Sequence, residues 1–135
     1  MSISMQVTEF PVIFNSDGPP TFQGGLISSN GSVTIVSMEL SSSDPQAIFP
    51  AVDAPQPPII WMSGPPQSST NPIQPTQISQ PPNFVVGLFS GGHLILIDLD
   101  VSPNNYFFRV GVLVNGSVIY SNDPVIINTD PPHDG

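Results

Sequence analysis

The chain has 135 residues, of which Lys and Arg together number 1 and Asp and Glu together 10, giving a formal net charge of -9, and it contains no cysteine. With Arg109 as its only strong cation it lacks the phosphate-neutralising charge that drives binding to nucleic acid or to an anionic membrane, so neither partner is expected. The missing cysteines exclude disulfides, thiolate metal sites and cysteine nucleophiles.

The apolar pattern has period 2 and predicts strands throughout. Ile3, Met5 and Val7 alternate with Ser4, Gln6 and Thr8, the pattern of a strand half-buried through Val7. Pro11 breaks it, and Phe10, Val12 and Phe14 continue on the opposite parity, which predicts a bulge or a change of sheet at the proline. Asp17-Gly18-Pro19-Pro20 and Asn30-Gly31 read as turns. A strand over residues 32–40 follows, with Thr34, Val36, Met38 and Leu40 on one face and Val33, Ile35, Ser37 and Glu39 on the other.

Residues 41–83 form a proline-rich loop region, with 11 of the chain's 18 prolines lying between Ser41 and Pro82. Proline donates no ladder hydrogen bond and breaks helices, so only a short strand, Ile59–Met62, is expected there. Residues 63–83 should cross the surface as a loop. Further strands are predicted at Phe84–Phe89 and over 93–101, joined by Ser90-Gly91-Gly92. Another is expected over 106–114, returned by the Asn115-Gly116 hairpin turn into Ser117–Tyr120. A turn at Asn122-Asp123-Pro124 then leads to a last strand over 125–127. Seven to nine short strands at this spacing predict one all-β domain over 1–135, an immunoglobulin-like antiparallel β-sandwich.

Two segments carry a resemblance. Tyr106-Phe107-Phe108-Arg109-Val110-Gly111-Val112, followed by Asn115-Gly116, resembles the penultimate strand and hairpin of fibronectin-III and related immunoglobulin-like folds. That likeness implies a corner hydrogen bond from Tyr106. The segment from Tyr120 through Asn122, Asp123-Pro124 and Val125 to Asn128 resembles the closing motif of the DP-EP family of small bacterial proteins. Thr129-Asp130-Pro131 stands where that motif has Glu-Pro. The resemblance spans the last ~30 residues and implies a β-sandwich without assigning it an activity.

Ser90, His93 and Asp98 include the residue types of a hydrolase triad. No Gly-x-Ser-x-Gly elbow is present, however, and a strand sends His93 and Asp98 to opposite faces. Asp98 and Asp100 alternate at a strand end and could offer oxygens to Ca²⁺, joined by Asp123 and Asp130 if the fold brings them near. The competing reading is a solvated strand end whose carboxylates resist edge pairing. His93 and His133, the only histidines, would need carboxylates to complete a transition-metal site. Trp61 and Tyr120, with Tyr106, are the candidates for stacking on a sugar, against core burial of Trp61. Asn30-Gly31-Ser32 and Asn115-Gly116-Ser117 match the glycosylation acceptor pattern and are equally ordinary turns.

Charged residues make up 8% of the chain and hydrophobic ones 39%, so the surface must be largely Ser, Thr, Asn, Gln, Pro and Gly. That composition suits a surface or extracellular assembly, with a cytoplasmic place left open. Residues 1–10 lack a basic stretch followed by an apolar run, so no secretory signal is expected, and no run reaches the ~18 apolar residues of a membrane span. The expected function is a non-catalytic structural or interaction module without cofactor, self-associating through strand edges. The alternatives are a carbohydrate- or Ca²⁺-binding module and, more remotely, a hydrolase using Ser90 and His93.

Overall fold

A computed structural model describes residues 5–15, 18–22, 26–30, 33–65, 67–89, 92–99, 104–122 and 125–129. Their strands are β1 (Met5–Glu9), β2 (Val12–Phe14), β3 (Thr21–Phe22), β4 (Leu26–Asn30), β5 (Val33–Ser42), β6 (Ile59–Met62), β7 (Gln77–Ile78), β8 (Phe84–Phe89), β9 (His93–Asp98), β10 (Asn104–Val114), β11 (Ser117–Tyr120) and β12 (Val125–Thr129). They form two six-stranded sheets. Sheet 1 runs β3-β2-β5-β9-β8 with β1 also on β5, and sheet 2 runs β4-β12-β10-β6-β7 with β11 also on β10. Among the described residues no helix is assigned.

The sandwich is not wholly antiparallel. β1 and β2 pair with β5 in parallel, and so does β4 with β12. The chain leaves sheet 1 after β3, runs through β4 in sheet 2 and returns as β5, which points the same way as β1 and β2 and opposite to β3.

Neither the bulge nor the change of sheet predicted at Pro11 is present, since β1 and β2 both pair with β5. Val7 faces Ile35 and Val12 faces Leu40, the same residue offset on both sides of the proline. Pro11 interrupts the ladder without shifting it, and the Phe10 N–H still reaches the Ser37 carbonyl at 2.8 Å. Even-numbered positions therefore point inward throughout, so Phe10, Val12 and Phe14 are buried while Val7 is 64% exposed. The expectation that Val7 faces the core is overturned by this unbroken parity.

The strands on either side of the turn expected at Asn122-Asp123-Pro124 differ in register against β10. Asp123 and Pro124 themselves lie outside the described residues, but β11 and β12 both run antiparallel to β10. Gly111 pairs with Tyr120 and Phe107 with Val125, so the β11–β12 side carries one residue more than β10 over that interval. Just before the shift, the Val110 N–H donates to Ser121 Oγ at 2.9 Å and the Ser121 N–H to the Val110 carbonyl at 2.9 Å.

The proline-rich region contributes to the core through Ala47 and Phe49, held because Ile48 exchanges two backbone bonds with Leu113. Residues 63–65 and 67–76 belong to a self-bonded loop, closed by Ser63 and Thr76, after which β7 pairs with β6. The core between the sheets combines Val36, Met38, Leu94 and Leu96 with Phe108, Val110 and Val112.

Candidate functional site

Trp61 is 3% exposed. Its ring meets Phe84 at 4.5 Å and Phe108 at 5.5 Å between centroids, so neither face is open to a sugar. The indole N–H is buried without a hydrogen-bond partner among the described residues. The sequence signal was the surrounding Ile59, Ile60 and Met62, which place this position in a core strand.

Tyr120 serves as a tether. Its hydroxyl donates to the Pro57 carbonyl at 2.7 Å, joining β11 to the segment before β6. Burial raises its pKa above 10.0. The ring covers Gly111, where a Cβ would lie 2.6 Å from Tyr120 Cε1. Tyr106 instead packs edge-on against Phe84 at 4.8 Å, so the phenol tether comes from the returning strand of the hairpin. In that hairpin Asn115 (φ 51) and Gly116 (φ 77) both adopt the left-handed conformation of a type I′ turn.

Asp98 is fully buried, and it accepts a hydrogen bond from Asn83 Nδ2 at 3.2 Å through Oδ1. Its cross-strand neighbours are Thr34, also fully buried, and Phe84. The solvated strand end is thus replaced by an internal polar link between β9 and the residue preceding β8. The parity of Leu94 and Leu96, both inward, already sent Asp98 inward, whereas nothing in the pattern indicated Asn83. Asp100 lies outside the described residues, as do Ser90, Asp130 and His133. Among the described residues no group of three His, Cys, Asp or Glu side chains converges as a metal site. His93 is half-buried at the start of β9 opposite Glu39, on the other face from Asp98. Asn128 lies in β12, paired with Asn104 and Ser29.

The outer face of sheet 1 carries what the strand pattern left unassigned. Val7, Ile35, Ile97 and Val85 lie side by side across β1, β5, β9 and β8. The end members Val7 and Val85 are 64% and 50% exposed, and Ile35 and Ile97 are half-buried between them. Ile95 on the same face and the exposed Leu99 extend the patch. The signal for it was the run Leu94-Ile95-Leu96-Ile97, which is apolar on both parities and therefore leaves one apolar face outside the core.

No protein-family model matches the chain, and no curated protein matches it.

Proposed function

We propose that this protein is a non-catalytic interaction module of the immunoglobulin-like class that self-associates through the outer face of sheet 1. The observation that carries the reading is the four-strand row Val7–Ile35–Ile97–Val85. A contiguous apolar stripe, on a surface otherwise rich in uncharged polar residues, is the usual mark of a protein contact. The immunoglobulin-like assignment is supported by the order β2-β5-β9-β8 opposite β12-β10-β6, and by a buried Trp on β6. The parallel β1 and β2 depart from it. Kinship with the DP-EP proteins belongs to the same proposal and rests on the C-terminal segment alone.

The test is light scattering of the full chain over a concentration series, beside a Val7→Lys/Val85→Lys variant. The wild type should grow in mass with concentration and the variant should stay monomeric. A wild type that remains monomeric at the highest concentration reached would rule the reading out.

A second reading, carbohydrate binding, is supported by a cleft of about 250 Å³ at the end of sheet 2, lined in part by Asn104, Asn105, Tyr106 and Phe107. Amides beside aromatic rings are the side chains that hold sugar hydroxyls and ring faces. A thermal-shift series with mono- and disaccharides tests it, and an unchanged melting temperature with all of them counts against it.

A further inference from the structure

Where β5 leaves sheet 1, a groove of about 540 Å³ opens between the β8–β9 hairpin and the segment 44–49. Leu40, Ile48, Phe49 and Leu88 contribute apolar lining, and the charged lining residues, Glu39 and Asp44, are both acids. Ile48 is 55% and Leu88 39% exposed, so apolar surface on both sides of the groove meets water. One wall is preformed, because the Ile48–Leu113 backbone bonds of 3.0 and 2.7 Å hold the segment against β10.

The same hairpin has an open backbone edge. Phe84 donates its N–H to the Pro81 carbonyl and accepts Gln80 Nε2 at its own carbonyl, so both groups point away from β9. Backbone groups alternate between edges along an antiparallel strand. Val86 and Leu88 therefore direct their N–H and C=O groups the same way, and no described strand pairs with them. β8 reads FVVGLF, without the charge or proline that commonly closes an edge.

We propose that this edge and groove together bind an extended segment of a partner polypeptide. A large aliphatic or aromatic side chain of that segment fills the groove beside Leu88, and a Lys or Arg two residues away faces Glu39 or Asp44. Strand addition supplies main-chain bonds, and the groove supplies side-chain selection. Charge complementarity identifies the partner as basic, since the groove is lined by two acids and the chain carries a net charge of -9. A second copy does not fit this description: its one strong cation, Arg109, lies in β10, a strand held in its own sheet by β6 and β12 and so not free to add to another edge. The site is distinct from the outer apolar row, so its failure and that of self-association are separable.

Fluorescence anisotropy with the full chain provides the test. The probe is a labelled nine-residue peptide of Thr and Val with Leu at its centre and Lys two residues to either side. Binding should saturate, weaken with added salt, and fall at least about fivefold in the Glu39→Gln/Asp44→Asn variant. Asn at position 44 keeps the oxygen that accepts the Gln46 N–H at 2.9 Å, so the local turn survives. Val86→Pro removes an outward N–H from the edge and should also weaken binding, with circular dichroism confirming the fold. Equal affinity for a peptide bearing Glu in place of Lys, no loss in the Glu39→Gln/Asp44→Asn variant, or no saturable binding would each overturn the proposal. So would loss of peptide binding as protein concentration drives two copies together.

Discussion

Gly111 and Tyr120 form one mechanical unit. A Cβ at position 111 would approach Tyr120 Cε1 to 2.6 Å and Val118 Cγ1 to 2.7 Å, and the ring cannot simply retreat because its hydroxyl is held by the Pro57 carbonyl. Gly111→Ala should therefore destabilise the protein by roughly 1–3 kcal/mol, the range for overpacking a filled site, read as a lower urea midpoint. Tyr120→Phe should cost about 1 kcal/mol through the lost hydrogen bond. The two changes should combine non-additively, since they share a contact. Burial raises the phenol's pKa in the folded chain, so the folded state favours the protonated form. Tyr120's contribution is then fully present below the unfolded value near 10 and is lost as pH rises through the higher folded value. Urea unfolding between pH 8 and 12 should show a decline in stability that is shallower in Tyr120→Phe. An equally steep decline in the variant would assign the loss to other groups.

At the scale of elements, the legible parts of the sequence were those where one local rule sufficed. Ile59–Met62 and Ser117–Tyr120 fall where alternation and the Asn-Gly signal put them. What escaped was register, because register belongs to two strands at once. Pro11 looked like a bulge and the pairing offset is the same on both sides of it, whereas between Tyr120 and Val125 the chain carries one residue more than β10 does opposite it. Pro11 lies between β1 and β2, both of which run along the longer β5, and the partner's spacing decides whether the chain slips. The same limit hid the outer row of sheet 1, since Val7 faces water only because β5 fixes its parity. Ala47 and Phe49 were hidden in a proline-rich stretch whose contact with β10 is non-local. The hairpin turn, by contrast, is local enough for a direct prediction. Gly116 has φ 77 and open space where a Cβ would go, so Gly116→Ala suffers backbone strain alone and should cost about 1 kcal/mol. Asn115→Gly should leave stability nearly unchanged. A Gly116→Ala variant as stable as the wild type would mean that the turn rearranges at little cost.

For the whole molecule the dominant long-range force is self-repulsion, since a net charge of -9 includes only one Lys or Arg. A compact chain of this length has a radius of gyration of roughly 14 Å. The Debye length is about 30 Å at 0.01 M salt and about 8 Å at 0.15 M, so at low salt every carboxylate repels the others across the domain, and at physiological salt mainly its neighbours. Unfolding separates those charges, which makes the folded state the one that gains from screening. The melting temperature should therefore rise by a few degrees between about 0.01 and 0.3 M sodium chloride, measured by calorimetry at dilute protein. The same screening should act in opposite directions on the two proposed contacts. Association of two acidic copies through the uncharged Val7–Ile35–Ile97–Val85 row should strengthen with salt, because screening removes repulsion and leaves the apolar contact. Binding of a basic segment beside Glu39 and Asp44 should weaken, because it loses attraction. Light scattering and peptide anisotropy over one salt series would separate them. Self-association that dissolves as salt rises would assign it to charged groups and remove the outer row as its cause.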